Sequence, residues 1–120
     1  MTDVKFRSKL GTNKGVAKSR IWIEGARLVA AGFGPGDLYI LMERWDLLGN
    51  ERGTIWRLET IAPEDVGDKK VRKVSGKGEK PIIDITGAAV AATFGADHTH
   101  VDVLYGEGWI EIQGAWESGA

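Results

Sequence analysis

Two stretches of the chain are similar in sequence, and together they determine the predicted fold. The first is RIWIEGARLVAAGF at residues 20–33, and the second is IIDITGAAVAATF at residues 82–94. In each, an alternating apolar segment typical of a half-buried strand ends at a glycine, Gly25 or Gly87. An alanine-rich segment that favours a short helix follows. The sequence therefore predicts one strand–helix unit written twice.

The similarity extends to both sides of these stretches. Each half opens with a basic strand candidate, and each continues after its helix with two further strand candidates. The order strand, strand, short helix, strand, strand thus occurs twice, in halves 1–61 and 68–114. An acidic linker containing proline and glycine, residues 62–68, joins them. The predicted strands are residues 4–9, 20–25, 38–41 and 54–58, and residues 70–74, 82–87, 101–104 and 109–112.

A half of about 60 residues with few large side chains is too small to close a core of its own. We therefore expect residues 1–120 to form a single domain. Its predicted fold is mainly β (a β-rich α+β domain), with a duplicated ββαββ unit and two short helices. The halves should intertwine about a pseudo-twofold axis into one barrel. The predicted core residues are Ile23, Leu28, Phe33, Ile85, Val90, Phe94, Val101 and Val103.

Positive charge is concentrated in two short segments. The net charge is only -1, yet residues 4–20 carry six basic residues and no acidic one. Residues 69–80 carry six basic residues against Glu79 alone. Clustered lysine and arginine is the usual footprint of phosphate binding, although a solvated charged surface is the simpler explanation of a single lysine run. Because the two segments occupy equivalent places in the repeat, we expect them to lie side by side as a trough for a polyanion.

This pattern predicts a protein that binds nucleic acid, with double-stranded DNA as the preferred ligand and RNA as the alternative. Phosphate neutralisation would supply affinity, and no residue can be assigned to base readout. The glycine-containing loops 11–15 and 75–80 would place basic tips near the backbone, or would be ordinary hairpin turns. The predicted contacts are Lys5, Arg7, Lys9, Lys14, Lys18 and Arg20 in the first half, and Lys70, Arg72, Lys73, Lys77 and Lys80 in the second.

The stretch 21–37, with its strand, short helix, Ala-Gly-Phe and then Gly36-Asp37, resembles the SymE-like toxin family within the AbrB/SpoVT swapped-hairpin (cradle-loop) barrel group. The resemblance implies a swapped-hairpin barrel that binds DNA through basic hairpins, or acts on RNA as SymE-like members do. Glycine suits a tight turn with positive φ, and the aspartate can accept local N–H groups. The second half departs from the pattern, with Asp97-His98-Thr99-His100 where Gly-Asp is expected.

The whole chain is also similar to the N-terminal module of phage-type DNA cytosine methyltransferases. Residues 10–15, 20–33 and 74–78 carry this likeness. The enzyme's catalytic motifs are missing, and its cysteine nucleophile cannot be present because the chain has no cysteine. The likeness implies a free-standing relative or an excised domain.

Catalysis has less support than binding. Glu24 with Arg27, or His98 with His100, could serve a SymE-like endoribonuclease, but nothing in the sequence fixes their geometry. A strand would space His98, His100 and Asp102 too widely for one zinc ion. We expect no cofactor and no metal site. Among the five tryptophans, Trp22 lies among basic residues and is the candidate for base stacking.

Other partners and the location follow from composition. A protein-interaction module (an antitoxin, an anti-restriction factor or a methyltransferase accessory) is the alternative function, because the remainder of the chain is acidic. No apolar run is long enough to span a bilayer, so no membrane partner is expected. The absence of cysteine and of a secretory leader predicts a cytoplasmic protein, either a monomer with a pseudo-dimeric barrel or a homodimer.

Overall fold

The computed structural model describes residues 4–48 and 51–115. The chain is mainly β with two short helices, as the sequence predicts. The strands are β1 (Val4–Lys9), β2 (Gly11–Asn13), β3 (Val16–Glu24), β4 (Leu38–Leu48), β5 (Glu51–Ile61), β6 (Arg72–Lys73), β7 (Ser75–Lys77), β8 (Lys80–Thr86), β9 (His100–Tyr105) and β10 (Trp109–Ala115). The helices are α1 (Ala26–Ala30) and α2 (Ala88–Val90), with one wide π-type turn, Ala91–Gly95, after α2.

The strands form two antiparallel sheets. The six-stranded sheet has the order β1-β9-β10-β5-β4-β6, and the four-stranded sheet has the order β2-β3-β8-β7. In both sheets, equivalent strands of the two halves lie at equal distances from the centre of the sheet. The equivalent pairs are β1 and β6, β9 and β4, and β10 and β5 in the larger sheet, and β2 and β7, and β3 and β8 in the smaller one. The outer strands are exchanged: β1 pairs with β9 of the second half, and β6 pairs with β4 of the first.

The chain passes between the sheets at two buried corner residues, Leu10 and Val74. Leu10 separates β1 from β2, and Val74 separates β6 from β7. Their backbone N–H groups donate to equivalent carbonyls just before β9 and β4, from Leu10 to Thr99 at 3.0 Å and from Val74 to Asp37 at 2.9 Å. The corner at Val74 explains why the predicted strand 70–74 ends at Lys73, since the backbone turns away from the ladder there; the strand also begins later than predicted, at Arg72.

The two helices begin in the same way. Gly25 and Gly87 precede them with φ of 101° and 126°, a region that favours glycine. Each of these glycines donates its N–H across to the other half, Gly25 to the Pro81 carbonyl and Gly87 to the Ser19 carbonyl. The strand-to-helix turns therefore tie the halves together.

The core lies between the sheets and under the helices. All eight predicted core residues are buried, with at most 4% of their surface exposed. The sequence alternation explains this, because Ile21 and Ile23 on β3 face the same interior as Ile83 and Ile85 on β8. The packing also includes Tyr39, Leu58, Ile110 and Ile112, which the predicted core left out. Among the described residues, no helix is long and apolar enough to cross a membrane.

The Gly36-Asp37 turn has the geometry expected of it. Gly36 has a φ of 91°, and the Asp37 carboxylate accepts the Gly34 N–H at 2.8 Å. The turn leads directly into β4, and the Val74 N–H donates to the Asp37 carbonyl. The turn therefore fixes both the start of β4 and one of the two corners.

Candidate nucleic-acid interface

The first basic segment begins on β1, an outer strand of the six-stranded sheet. Arg7 lies opposite Asp102 of β9, and its guanidinium donates to both carboxylate oxygens, at 2.7 and 3.0 Å. These hydrogen bonds, more than charge attraction, raise the pKa of Arg7 above its ordinary value. Lys9 is exposed, and the side chain of Lys5 lies outside the described residues. Arg7 is thus held within the sheet.

The same segment continues through the β2–β3 hairpin. Lys14 occupies its turn with a φ of 51°, and Lys18 forms an irregularity in β3 with a φ of 56°. The Ser19 hydroxyl closes the hairpin, since it donates to the Val16 carbonyl at 2.7 Å and accepts the Asn13 N–H at 3.2 Å. Loop 11–15 is therefore a hairpin turn with a basic tip.

Arg20, like Arg7, is held by two hydrogen bonds to a carboxylate on a neighbouring strand. Its guanidinium donates two hydrogen bonds of 2.9 Å to the Asp84 carboxylate on the neighbouring strand β8. These bonds raise the pKa of Arg20, and the guanidinium carbon also stands 4.5 Å from the centre of the Trp22 ring. Both arginines of the first segment thus already have carboxylate partners.

The cations of the second basic segment are more exposed and less engaged in ion pairs than those of the first. It covers β6, β7, the start of β8 and the residues just before them. Within the described ranges none of its five predicted contacts forms an ion pair or a side-chain hydrogen bond, and all are exposed: Lys70, Arg72, Lys73, Lys77 and Lys80. The second loop is again a hairpin turn, in which Lys77 pairs with Lys80.

The prediction that the two basic strands lie side by side is wrong. β1 and β6 are the outermost strands at opposite edges of the six-stranded sheet. The two basic hairpins do belong to one sheet, but β3 and β8 are antiparallel, so their turns point to opposite ends of it. Each basic strand pairs with a strand of the other half, β1 with β9 and β6 with β4, and this places the two basic strands at opposite edges of the sheet. The structure therefore has two separate basic regions and no single trough between β1 and β6.

A cleft opens where β1 diverges from β3. It encloses about 240 Å³ and is lined by Phe6, Ser8, Trp22, Ile23, Glu24, Arg27, Val103 and Tyr105. We call it the aromatic cleft. From the sequence, Glu24 with Arg27 is one candidate pair and Trp22 is a separate candidate, and all three line this cleft. Phe6 is not among the site residues identified from the sequence. Its position as a large apolar residue between Lys5 and Arg7 is the sequence feature that could have indicated it.

The histidines do not share one strand face. β9 begins at His100, so His98 lies before the strand, with its Nδ1 3.3 Å from the Phe94 carbonyl. His100 Nδ1 lies 2.8 Å from the Thr99 hydroxyl, and Asp102 is bound to Arg7. Among the side chains that the structure describes, no three histidine, aspartate or glutamate residues cluster closely enough to hold a metal ion.

Comparisons with protein-family models, with curated proteins and with solved structures find no match for this chain.

Proposed function

We propose that this chain binds nucleic acid, with duplex DNA as the main ligand, through the exposed cations of its two basic segments. The observation that carries the proposal is the second segment, in which five exposed cations occur within eleven residues and have no carboxylate partner in the described part of the chain. Self-repulsion makes such a cluster unfavourable in the folded protein alone. A polyanion supplies the missing counter-charge.

The spacing of the two hairpins supports a duplex. Val16 and Lys80 begin β3 and β8, and the register of these strands places them roughly ten residues apart, two of which are taken up by the irregularity at Lys18. The strands therefore span ~26 Å at the usual strand rise, and the turns at residues 14–15 and 78–79 lie a few ångström further out at each end. One turn of B-DNA is ~34 Å, and points one turn apart on a duplex face the same direction. Two hairpins related by an approximate twofold axis therefore suit contacts with backbone phosphates one turn apart.

The cations divide into two groups. Arg7 and Arg20 serve the fold, since each is neutralised by a carboxylate. The phosphate contacts fall to the exposed cations of the second segment and to Lys9, Lys14 and Lys18 of the first, for which the described residues offer no acidic partner.

The proposal includes the finer fold, a pseudo-twofold swapped-hairpin barrel of the AbrB and SymE-like type. It is supported by the exchanged outer strands β1 and β6, the symmetric placement of equivalent strands in both sheets and the equivalent corners at Leu10 and Val74. On this proposal one chain supplies both half-sites. A cytoplasmic location is part of the proposal, in keeping with the absence of cysteine.

A salt titration of duplex binding tests this function. We expect the affinity for a 20-base-pair duplex to fall steeply as salt rises, because phosphate contacts release counterions. The triple variant Lys73→Gln, Lys77→Gln, Lys80→Gln should flatten the log–log slope by about three, roughly 0.9 for each lost contact.

The matched control is Arg44→Gln, which removes a positive charge from the six-stranded sheet, where Arg44 pairs with Glu111 at 3.1 Å. It should leave the slope unchanged. Binding that is insensitive to salt, or a triple variant that binds like the control, would contradict the proposal.

A further inference from the structure

The aromatic cleft exposes two rings that the fold does not need to expose. Phe6 is 41% exposed and Trp22 is 37% exposed, whereas most other large apolar side chains of the described residues are buried. Exposed aromatic area in one concave place is unfavourable in water and is typical of a binding site. The floor of the cleft is apolar, formed by Val103 and Tyr105.

An arginine guanidinium lies over each of the two exposed rings. The Arg27 guanidinium carbon stands 4.4 Å from the centre of the Phe6 ring, and that of Arg20 stands 4.5 Å from the centre of the Trp22 ring. The Arg20 guanidinium is further fixed by its two bonds to Asp84. Of these two arginines, Arg27 lines the cleft together with both rings, and Arg20 lies outside its lining. Aromatic and guanidinium planes are both surfaces on which nucleobases stack.

Polar groups stand at the rim. Glu24 accepts the indole N–H of Trp22, which fixes the orientation of the ring. The Ser8 hydroxyl donates to the Trp22 carbonyl at 3.4 Å and bridges β1 to β3. Glu24 supplies acceptor oxygens and Arg27 supplies donors, which match the mixed donor and acceptor edge of a base.

We propose that the aromatic cleft binds one unpaired nucleobase of a nucleic acid whose phosphates are held by the exposed lysines of the basic segments. This inference rests on the proposed function and narrows its ligand to a nucleic acid with an extruded or unpaired base. The volume of about 240 Å³ lies below that of pockets for drug-sized ligands and suits a single planar ring system.

The experiment compares two duplexes that differ only by a one-nucleotide bulge. Wild-type protein should bind the bulged duplex about 5- to 100-fold more tightly than the perfect one, the range that stacking of one base supplies. Trp22→Leu and Phe6→Leu should each remove most of this preference while leaving affinity for the perfect duplex within about twofold, since paired bases are already stacked. Bulges of DNA and of RNA serve as separate arms.

Trp109→Leu is the matched control. An arginine also lies over the Trp109 ring, with the Arg57 guanidinium carbon 4.7 Å from the ring centre. Trp109, however, is on β10 in the other sheet. The control should keep the preference for the bulge. A second readout is the indole N–H resonance of Trp22, assigned with Trp22→Phe, which should shift when a mononucleotide is added at millimolar concentration.

The outcomes separate the two proposals. Salt-sensitive duplex binding without a preference for the bulge would overturn the base site and leave the proposed function standing. Absence of binding to every nucleic acid would overturn both. A Trp22 resonance that responds to N-acetyl-tryptophanamide and not to the mononucleotide would overturn the base site in favour of a peptide-binding cleft.

Discussion

Individual charged residues show most clearly what a single sequence can and cannot predict. Arg7 and Arg20 look like phosphate contacts because they belong to the segment 4–20, which contains six basic residues and no acidic one. Their partners are Asp102 and Asp84, which lie 95 and 64 positions away. Only the pairing of β1 with β9 and of β3 with β8 brings them within reach. The composition of the basic segments could be predicted from sequence, but the neutralisation of these two arginines could not.

Tyr39 provides a residue-scale test of the core. Burial raises its pKa, while the positive charge of Arg72 opposes this in part. The folded protein therefore holds the phenol proton more tightly than the unfolded chain does. Below the unfolded pKa of about 10 the full stability is present. As pH rises from there toward the folded pKa, ionisation favours unfolding and stability is lost.

We predict that the free energy of unfolding falls between pH 9 and pH 11 and that Tyr39→Phe loses less of it over this interval. Urea denaturation at the two pH values measures both. Tyr105, whose pKa is also raised by burial, remains in the variant and accounts for part of the residual slope. Identical pH slopes in the two proteins would show that Tyr39 does not contribute.

At the scale of elements, the repeat was the most informative part of the sequence. Alternation and the two glycines located both central strands, and alanine-rich stretches located both helices. The three-residue strands β2 and β7 were not predicted from the sequence, because each is too short to show an alternating pattern and follows a corner residue. Those corners, Leu10 and Val74, have no sequence signal beyond being apolar, since their role depends on which sheet the chain enters next.

The β7–β8 hairpin depends on Gly76. Its φ is 100°, and a Cβ added there would overlap the Lys80 carbonyl oxygen, which is backbone and cannot move aside cheaply. We predict that Gly76→Ala destabilises the protein by about 2 kcal/mol or more, from backbone strain together with this overlap. Chemical denaturation provides the measurement.

Gly78→Ala is the comparison for this prediction. Gly78 also has a positive φ, 58°, but nothing lies within 4 Å of an added Cβ. It should cost only about 1 kcal/mol, from the left-handed backbone alone. Equal losses from the two substitutions would refute the role assigned to the close approach at Gly76.

For the whole molecule, the intertwining that the repeat implied has a consequence that the repeat alone did not show. Because each outer strand pairs with the other half, the equivalent basic strands β1 and β6 lie at opposite edges of the six-stranded sheet. The two basic hairpins likewise lie at opposite ends of the four-stranded sheet, because β3 and β8 are antiparallel. Predicting this requires the register of β3 against β8, which no local pattern specifies. The identity of the basic residues was accessible from sequence, and their arrangement was not.

This separation predicts a dependence on duplex length. Duplexes of about 8 base pairs span less than one turn and should engage one hairpin, whereas those of about 14 base pairs can reach both. We expect the affinity and the salt slope to increase between these lengths, because more phosphates are neutralised. The triple variant of the second segment should show a much smaller increase. A smooth dependence on length, shared by both proteins, would argue against two separated contact points.

The pairing of β1 with β9 also bears on how the protein forms during synthesis. Within the described residues the backbone of β1 pairs with β9 alone, some 95 residues further along, so β1 lacks its partner strand until the ribosome has released the segment that forms β9. Nascent chains thus carry an open β edge rich in lysine and arginine. Those like charges discourage two nascent chains from joining edge to edge before the native partner strand emerges.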